Sequence, residues 1–135
     1  EEQGIISRFR WIDRIENTKM SSLYSIISTR GGLSLVTSHC ESFGMSVLES
    51  LLAGCPVVST NVGALPEITE QGTFFRLYEL GDYKSATKEA INVIEESDEV
   101  NNSLLEIRNN LVDSYDSAVR SNDYWRMLRG MMKDD

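Results

Sequence analysis

Residues Ser34 to Glu67 read SLVTSHCESFGMSVLESLLAGCPVVSTNVGALPE, and the punctuation of this stretch decides the fold. Leu33 to Val36 is an apolar run and reads as a short buried strand. A polar turn follows at Ser38-His39-Cys40-Glu41-Ser42. The pattern then becomes helical: Met45, Leu48 and Leu52 share one face, with Val47 and Leu51 beside it. Gly54 suits the left-handed residue that ends a helix, and Pro56 forbids continuation. Pro56 to Thr60 is a second buried strand, rich in valine. Strand, helix, strand with short joints is a βαβ unit, and such units build parallel sheets.

The chemistry of that unit lies in the first turn of its helix. The leading N–H groups of a helix have no intrahelical partner, and the macrodipole adds partial positive charge there. Phe43-Gly44-Met45 places those donors at the carboxyl edge of the sheet, where Gly44, lacking Cβ, is expected to let a ligand approach. Such a terminus suits a phosphate or the hydroxyls of a sugar. Two carboxylates bracket the turn. Glu41 precedes the helix, and Glu49 lies within it at the margin of the apolar face.

Glu41-Ser42-Phe43-Gly44 with Glu49 resembles the E-x7-E motif of the retaining GT-B glycosyltransferases of group 1, the GT4-like family. Downstream, Ala53-Gly54-Cys55-Pro56-Val57-Val58 resembles that family's A-x-G-x-P-V-V strand, and Asn61 to Glu67 its G-G-x-x-E turn. Order and spacing of all the motifs make the resemblance specific, and its strict part covers about Leu33 to Gly72. It implies that Glu49 accepts hydrogen bonds from the ribose hydroxyls of a nucleotide, and that Glu41 lies at the donor sugar in a catalytic role. Ser42, Phe43, Gly44 and Met45 bind the same substrate, largely through backbone N–H groups. It also implies a nucleotide-diphosphate sugar as substrate, with no cofactor and no metal. The sequence holds one histidine and no D-x-D triplet, in keeping with that. Ala64 stands where the family has a second glycine, and Ser50 where it has alanine. By this resemblance the chain begins inside a donor-binding half. The basic pair that grips a diphosphate and the separate N-terminal acceptor domain are both missing.

Composition sets the class. The 135 residues are 41% hydrophobic, enough for a single domain with a real core. No run approaches the ~18 apolar residues of a membrane span, and no signal-peptide start is visible. The formal charge of −8 argues against a nucleic-acid partner, which needs a concentrated basic surface. A single nucleotide at a helix terminus remains compatible with it. Two cysteines, Cys40 and Cys55, are too few for a disulfide scaffold, and a reduced cytoplasmic setting is expected. A Cys40–His39 dyad is not expected, because adjacent side chains in an extended turn point apart.

The rest of the chain extends the alternation. Ile5 to Ile12 reads as a strand, with Trp11 as either core or, by the resemblance, a base contact together with Ile12. Asn17 to Ser28 reads as a helix with Asn17 or Thr18 as cap and a stripe of Met20, Leu23, Ile26 and Ile27, closed by Arg30-Gly31-Gly32. A turn at Thr69 to Gly72 leads to a strand over Thr73 to Tyr78. Asp82 is expected to cap a helix to about Glu96, with Ala86, Ala90, Val93 and Ile94 inward. Asp98 to Ser121 reads as one helix, and Ser121 to Met132 as a short amphipathic one packed on its own domain. In some members of the resembled family such a tail touches a membrane or the other domain.

The expected fold is therefore α/β: a Rossmann-like three-layer α/β/α domain over residues 1–135 with a parallel sheet of about four strands, part of a GT-B donor-binding half. Two functions compete: the donor-binding part of a glycosyltransferase, inactive alone, or a non-catalytic Rossmann-like binding or regulatory module.

Overall fold

A computed structural model describes residues 4, 7–68, 72, 74–96 and 107–131. Three strands, β1 (Ser34–Val36), β2 (Val57–Thr60) and β3 (Phe75–Tyr78), form a parallel sheet in the order β1-β2-β3. The register pairs Leu35 with Val58, and Val58 with Arg76. All four residues of β2 are buried, as a central parallel strand covered on both faces requires. That is why its sequence is a near-continuous small and apolar run.

The strand alternation divides the core into two. Val57 and Phe75 face a cluster with Val47, Leu48 and Leu51 of α2 (Met45–Leu52) and Leu111 of α4 (107–115). Val58 and Tyr78 face the other way, against Ala86 and Val93 of α3 (Tyr83–Glu95). Helices on both faces of one parallel sheet make the three-layer, Rossmann-like α/β/α architecture. Each fully buried aliphatic side chain here contributes roughly 1.5–3 kcal/mol relative to exposure. α1 (Asn17–Thr29) lies beside α2, and the Ser28 hydroxyl donates to the Gly54 carbonyl at 2.6 Å.

Local chemistry explains the boundaries. α1 and α2 each end in paired bonds around a left-handed glycine. Gly31 N–H donates to Ser28 O and Gly32 N–H to Ile27 O; Gly54 N–H donates to Leu51 O and Cys55 N–H to Ser50 O. Asp82 caps α3, accepting from Ser85 N–H at 3.0 Å. On β3, Arg76 pairs with Glu89 and Glu96 and so ties the edge strand to α3 and its C-cap.

Several expectations are corrected. Residues 7–12 are not a strand; Trp11 is 87% exposed, so it is not core. Among the described residues nothing pairs with that segment, and an isolated strand leaves its backbone groups unsatisfied by any ladder. The sheet accordingly holds three strands among the described residues. In α2 the buried face is Val47, Leu48 and Leu51, whereas Met45 is exposed, because packing on the sheet rotates the face by one position. The N-cap of α1 is Glu16, with no side-chain bond from Asn17 or Thr18. Of its expected stripe, Ile26 is exposed, and Tyr24 is the buried residue. Ile94 of α3 is exposed as well.

The long C-terminal helix expected from Asp98 to Ser121 is broken at Asp116, whose Oδ1 accepts from Ala118 and Val119 N–H and starts α5 (Ser117–Met131). Residues 117–126 and 129 of α5 are all exposed, so this helix does not pack on the domain through them. The expected turn residues Thr69 to Gln71, the strand start at Thr73, the helix portion 98–106 and Ile5 lie outside the described residues.

Candidate functional site

The carboxyl ends of β1, β2 and β3 form one edge, and the segment from β1 to α2 crosses it. Two side chains tie down the first part of that crossing. Thr60 Oγ1 donates to Ser38 O at 2.7 Å, and the Tyr78 hydroxyl donates to Val36 O at 3.2 Å. The second part is held by the turn after β2. Ala64 N–H donates to the Glu41 carbonyl at 3.0 Å. Gly63, at φ 55°, comes so close that a Cβ there would sit 1.9 Å from the same oxygen. The backbone of Glu41 is thus clamped by Gly63-Ala64, and its half-buried side chain is left free of any ion pair among the described residues.

Gly44 is the N-cap of α2, at φ 82° and with no side-chain cap bond. A left-handed glycine turns the chain so that the helix starts at Met45 on the sheet edge. The leading N–H groups carry the positive end of the dipole there. One expectation fails at this residue. Gly44 is buried, and its open side is filled: a Cβ would meet Leu65 and Ile68 side chains at 2.6 Å. The glycine serves the turn and the packing beneath it, and its missing side chain opens no path for a ligand.

Ser42 is exposed, as are Phe43 and Met45. Phe43 stacks edge-on against Tyr115 of α4, with ring centroids 5.9 Å apart, and the Tyr115 hydroxyl donates to Ile68 O. Ser50, which stands where the resembled family has alanine, is fully buried and donates to Cys55 O at 3.3 Å.

Glu49 lies four residues, about 6 Å, along α2 from Met45. It lines a cavity of about 510 Å³ together with Asn17, Met20, Ser21 and Ser25 of α1, Leu52 and Ala53, and Arg108 of α4. The volume falls in the usual range for a small-molecule site. Tyr24 lies near by: burial pushes its hydroxyl above the ordinary tyrosine range, and the charge of Glu49 adds to the shift. Of the residues expected at the site, Glu49 lines this cavity, while Glu41 to Met45 form the loop at the head of α2 and do not line it.

Sequence reasoning missed the α1 and α4 contributions. The polar stripe Asn17, Ser21, Ser25, spaced by four, was visible as one helix face. Arg108 carried no local signal.

The family model for glycosyl transferases group 1 matches residues 1–110. The chain belongs to this family. Among its relatives is N-acetyl-alpha-D-glucosaminyl L-malate synthase of Bacillus anthracis. It is 28% identical over 103 residues, which cover 76% of this chain and 27% of that protein. The 2-deoxystreptamine N-acetyl-D-glucosaminyltransferase of Niallia circulans is 37% identical over 62 residues, covering 46% of this chain and 16% of that protein. A sucrose synthase of Beta vulgaris is 32% identical over 73 residues, covering 53% of this chain and 10% of that enzyme. The chain therefore spans about a quarter or less of the length of these relatives. No helix among its described residues is long and apolar enough to cross a membrane.

Proposed function

We propose that this chain forms part of the nucleotide-sugar donor site of a retaining, metal-independent GT-B glycosyltransferase that works in the cytoplasm. The single observation that carries the proposal is the joint at the sheet edge. A helix begins there at an uncapped left-handed glycine, Glu41 is clamped just before it, and Glu49 opens into a cavity one turn further on.

Each part has a task in that chemistry. A carboxylate is a strong acceptor for a sugar diol, because a charged acceptor shortens and strengthens the bond. Glu49 takes the ribose hydroxyls. The leading N–H groups of α2, with the backbone of Ser42 and Phe43-Gly44-Met45, take oxygens of the donor. Glu41 faces the transferred sugar. As the bond from the anomeric carbon to the diphosphate oxygen breaks, positive charge grows on the sugar, and a fixed carboxylate stabilises it. The acceptor hydroxyl forms the new bond, and its proton leaves with the diphosphate. The acceptor would be held by a separate domain of the same protein. The relatives' names span N-acetylglucosaminyl transfer and sucrose synthesis, so the reading stops at the class of nucleotide-diphosphate sugars.

Titration of the intact protein with UDP, GDP and ADP tests this. Glu49→Ala removes a charge-assisted bond, worth about 1.5–3 kcal/mol, so the preferred nucleotide should bind roughly 10- to 100-fold more weakly. Equal affinity in the variant removes the ribose role. Absence of nucleotide binding in the unaltered protein would favour the non-catalytic module.

A further inference from the structure

The cavity at Glu49 contains two opposite charges that do not meet. Glu49 comes from α2 and Arg108 from α4, and they are far apart in sequence. No ion pair joins them among the described residues, although both line the same space. Arg108 is the only cationic side chain among the described lining residues. The same cavity is lined by the polar side chains of Asn17, Ser21 and Ser25 and by the apolar Met20, Leu52 and Ala53.

An acid and a cation that line one space without pairing with each other select a ligand that carries a hydrogen-bond donor at one end and an anion at the other. A nucleoside diphosphate has that polarity: the ribose diol donates, and the phosphates accept. It also creates a difficulty. A diphosphate brought beside Glu49, in a chain of formal charge −8, is repelled unless a cation is close. The guanidinium, planar and with paired donors, is the side chain best matched to a phosphate edge.

We infer that Arg108 binds the phosphate of the donor nucleotide within the cavity that it shares with Glu49. The inference rests on the donor reading above and extends it to a residue of the C-terminal helices. Helix α4 acquires a task in addition to packing. Leu111 and Ile107 dock it on the core, which sets Arg108 over the cavity; Tyr115 steadies its far end against Phe43.

The two readings separate by ligand. Affinities of the intact protein are measured for a nucleoside, its diphosphate and inorganic pyrophosphate, at low and moderate salt. Arg108→Gln should weaken the diphosphate about tenfold or more, flatten its salt dependence and leave the nucleoside within twofold; Arg108→Lys should recover part of the loss. Glu49→Gln should weaken nucleoside and diphosphate alike. Equal loss of nucleoside and diphosphate in Arg108→Gln, or no loss of either, overturns the phosphate role while the donor reading stands. A Glu49→Gln variant with unchanged nucleoside affinity, or an unaltered protein that binds no nucleotide, removes the donor reading and this inference with it. Because Arg108 is exposed, Arg108→Gln should keep its thermal midpoint. If it does not, the lysine variant still reports the phosphate-specific loss.

Discussion

At the scale of single residues, two glycines with left-handed backbones behave differently, and the difference is testable. Gly54 has φ 77° and open space around its missing side chain. Gly54→Ala therefore meets only the left-handed cost of an L-residue, about 1–2 kcal/mol. Gly63 has the same class of conformation, but its Cβ would overlap the Glu41 carbonyl, a backbone atom that no rotamer change can move. Gly63→Ala should cost roughly 1–3 kcal/mol more than Gly54→Ala, as overpacking against a fixed neighbour does. Denaturant unfolding of the two variants side by side checks the difference, and equal losses contradict the clamp. If Glu41 acts at the donor, Gly63→Ala also weakens nucleotide-sugar binding by shifting the loop, and Gly54→Ala does not.

At the scale of elements, the break at Asp116 separates two helices that follow each other directly. α4 carries a buried leucine and joins the core, whereas the described side chains of α5 contact solvent. Asp116 therefore caps an element none of whose described side chains is buried. Asp116→Ala removes the acceptor for two orphan N–H groups, a loss of about 0.5–2 kcal/mol. Hydrogen exchange at Ala118 to Ser121 should quicken several-fold while the unfolding midpoint of the domain stays nearly constant. A drop of many degrees in that midpoint means that α5 is anchored to the core.

At the scale of the whole molecule, burial sets the alkaline limit of stability. Burial raises the Cys55 thiol from an ordinary 9.0, and it raises the Tyr24 and Tyr78 hydroxyls from 10.0. The folded state thus holds these protons more tightly than the unfolded chain does. Below about pH 8 both states are protonated and the contribution is intact; it is lost as pH rises through the unfolded and then the raised values. As far as these groups set it, the thermal midpoint should be level from about pH 7 to 8 and decline above that. Cys55→Ala should delay the onset. A midpoint that rises above about pH 9 contradicts this account.

Much of this molecule was legible before any coordinates. β1, β2, the helix between them and its stop at Gly54 are local events. Alternating apolar runs, a left-handed glycine and a proline are enough to specify each one. Asp82 and the Gly31 turn were legible for the same reason, since caps depend on a few neighbouring residues. The family was legible too, because its motifs lie inside that continuous stretch. Tertiary structure alone decided the remainder. The segment around Trp11 has strand-like composition, but a strand needs a neighbour to bond. The buried face of α2 rotated from Met45 and Leu52 toward Val47 and Leu51 because the sheet beneath sets the contact. Gly44 proved to be filled by Leu65 and Ile68, and Gly63 to press on Glu41, because turns distant in sequence converge on one edge. Arg108 came to line the same cavity as Glu49 for the same reason: helix packing brings residues to one space that no local pattern connects.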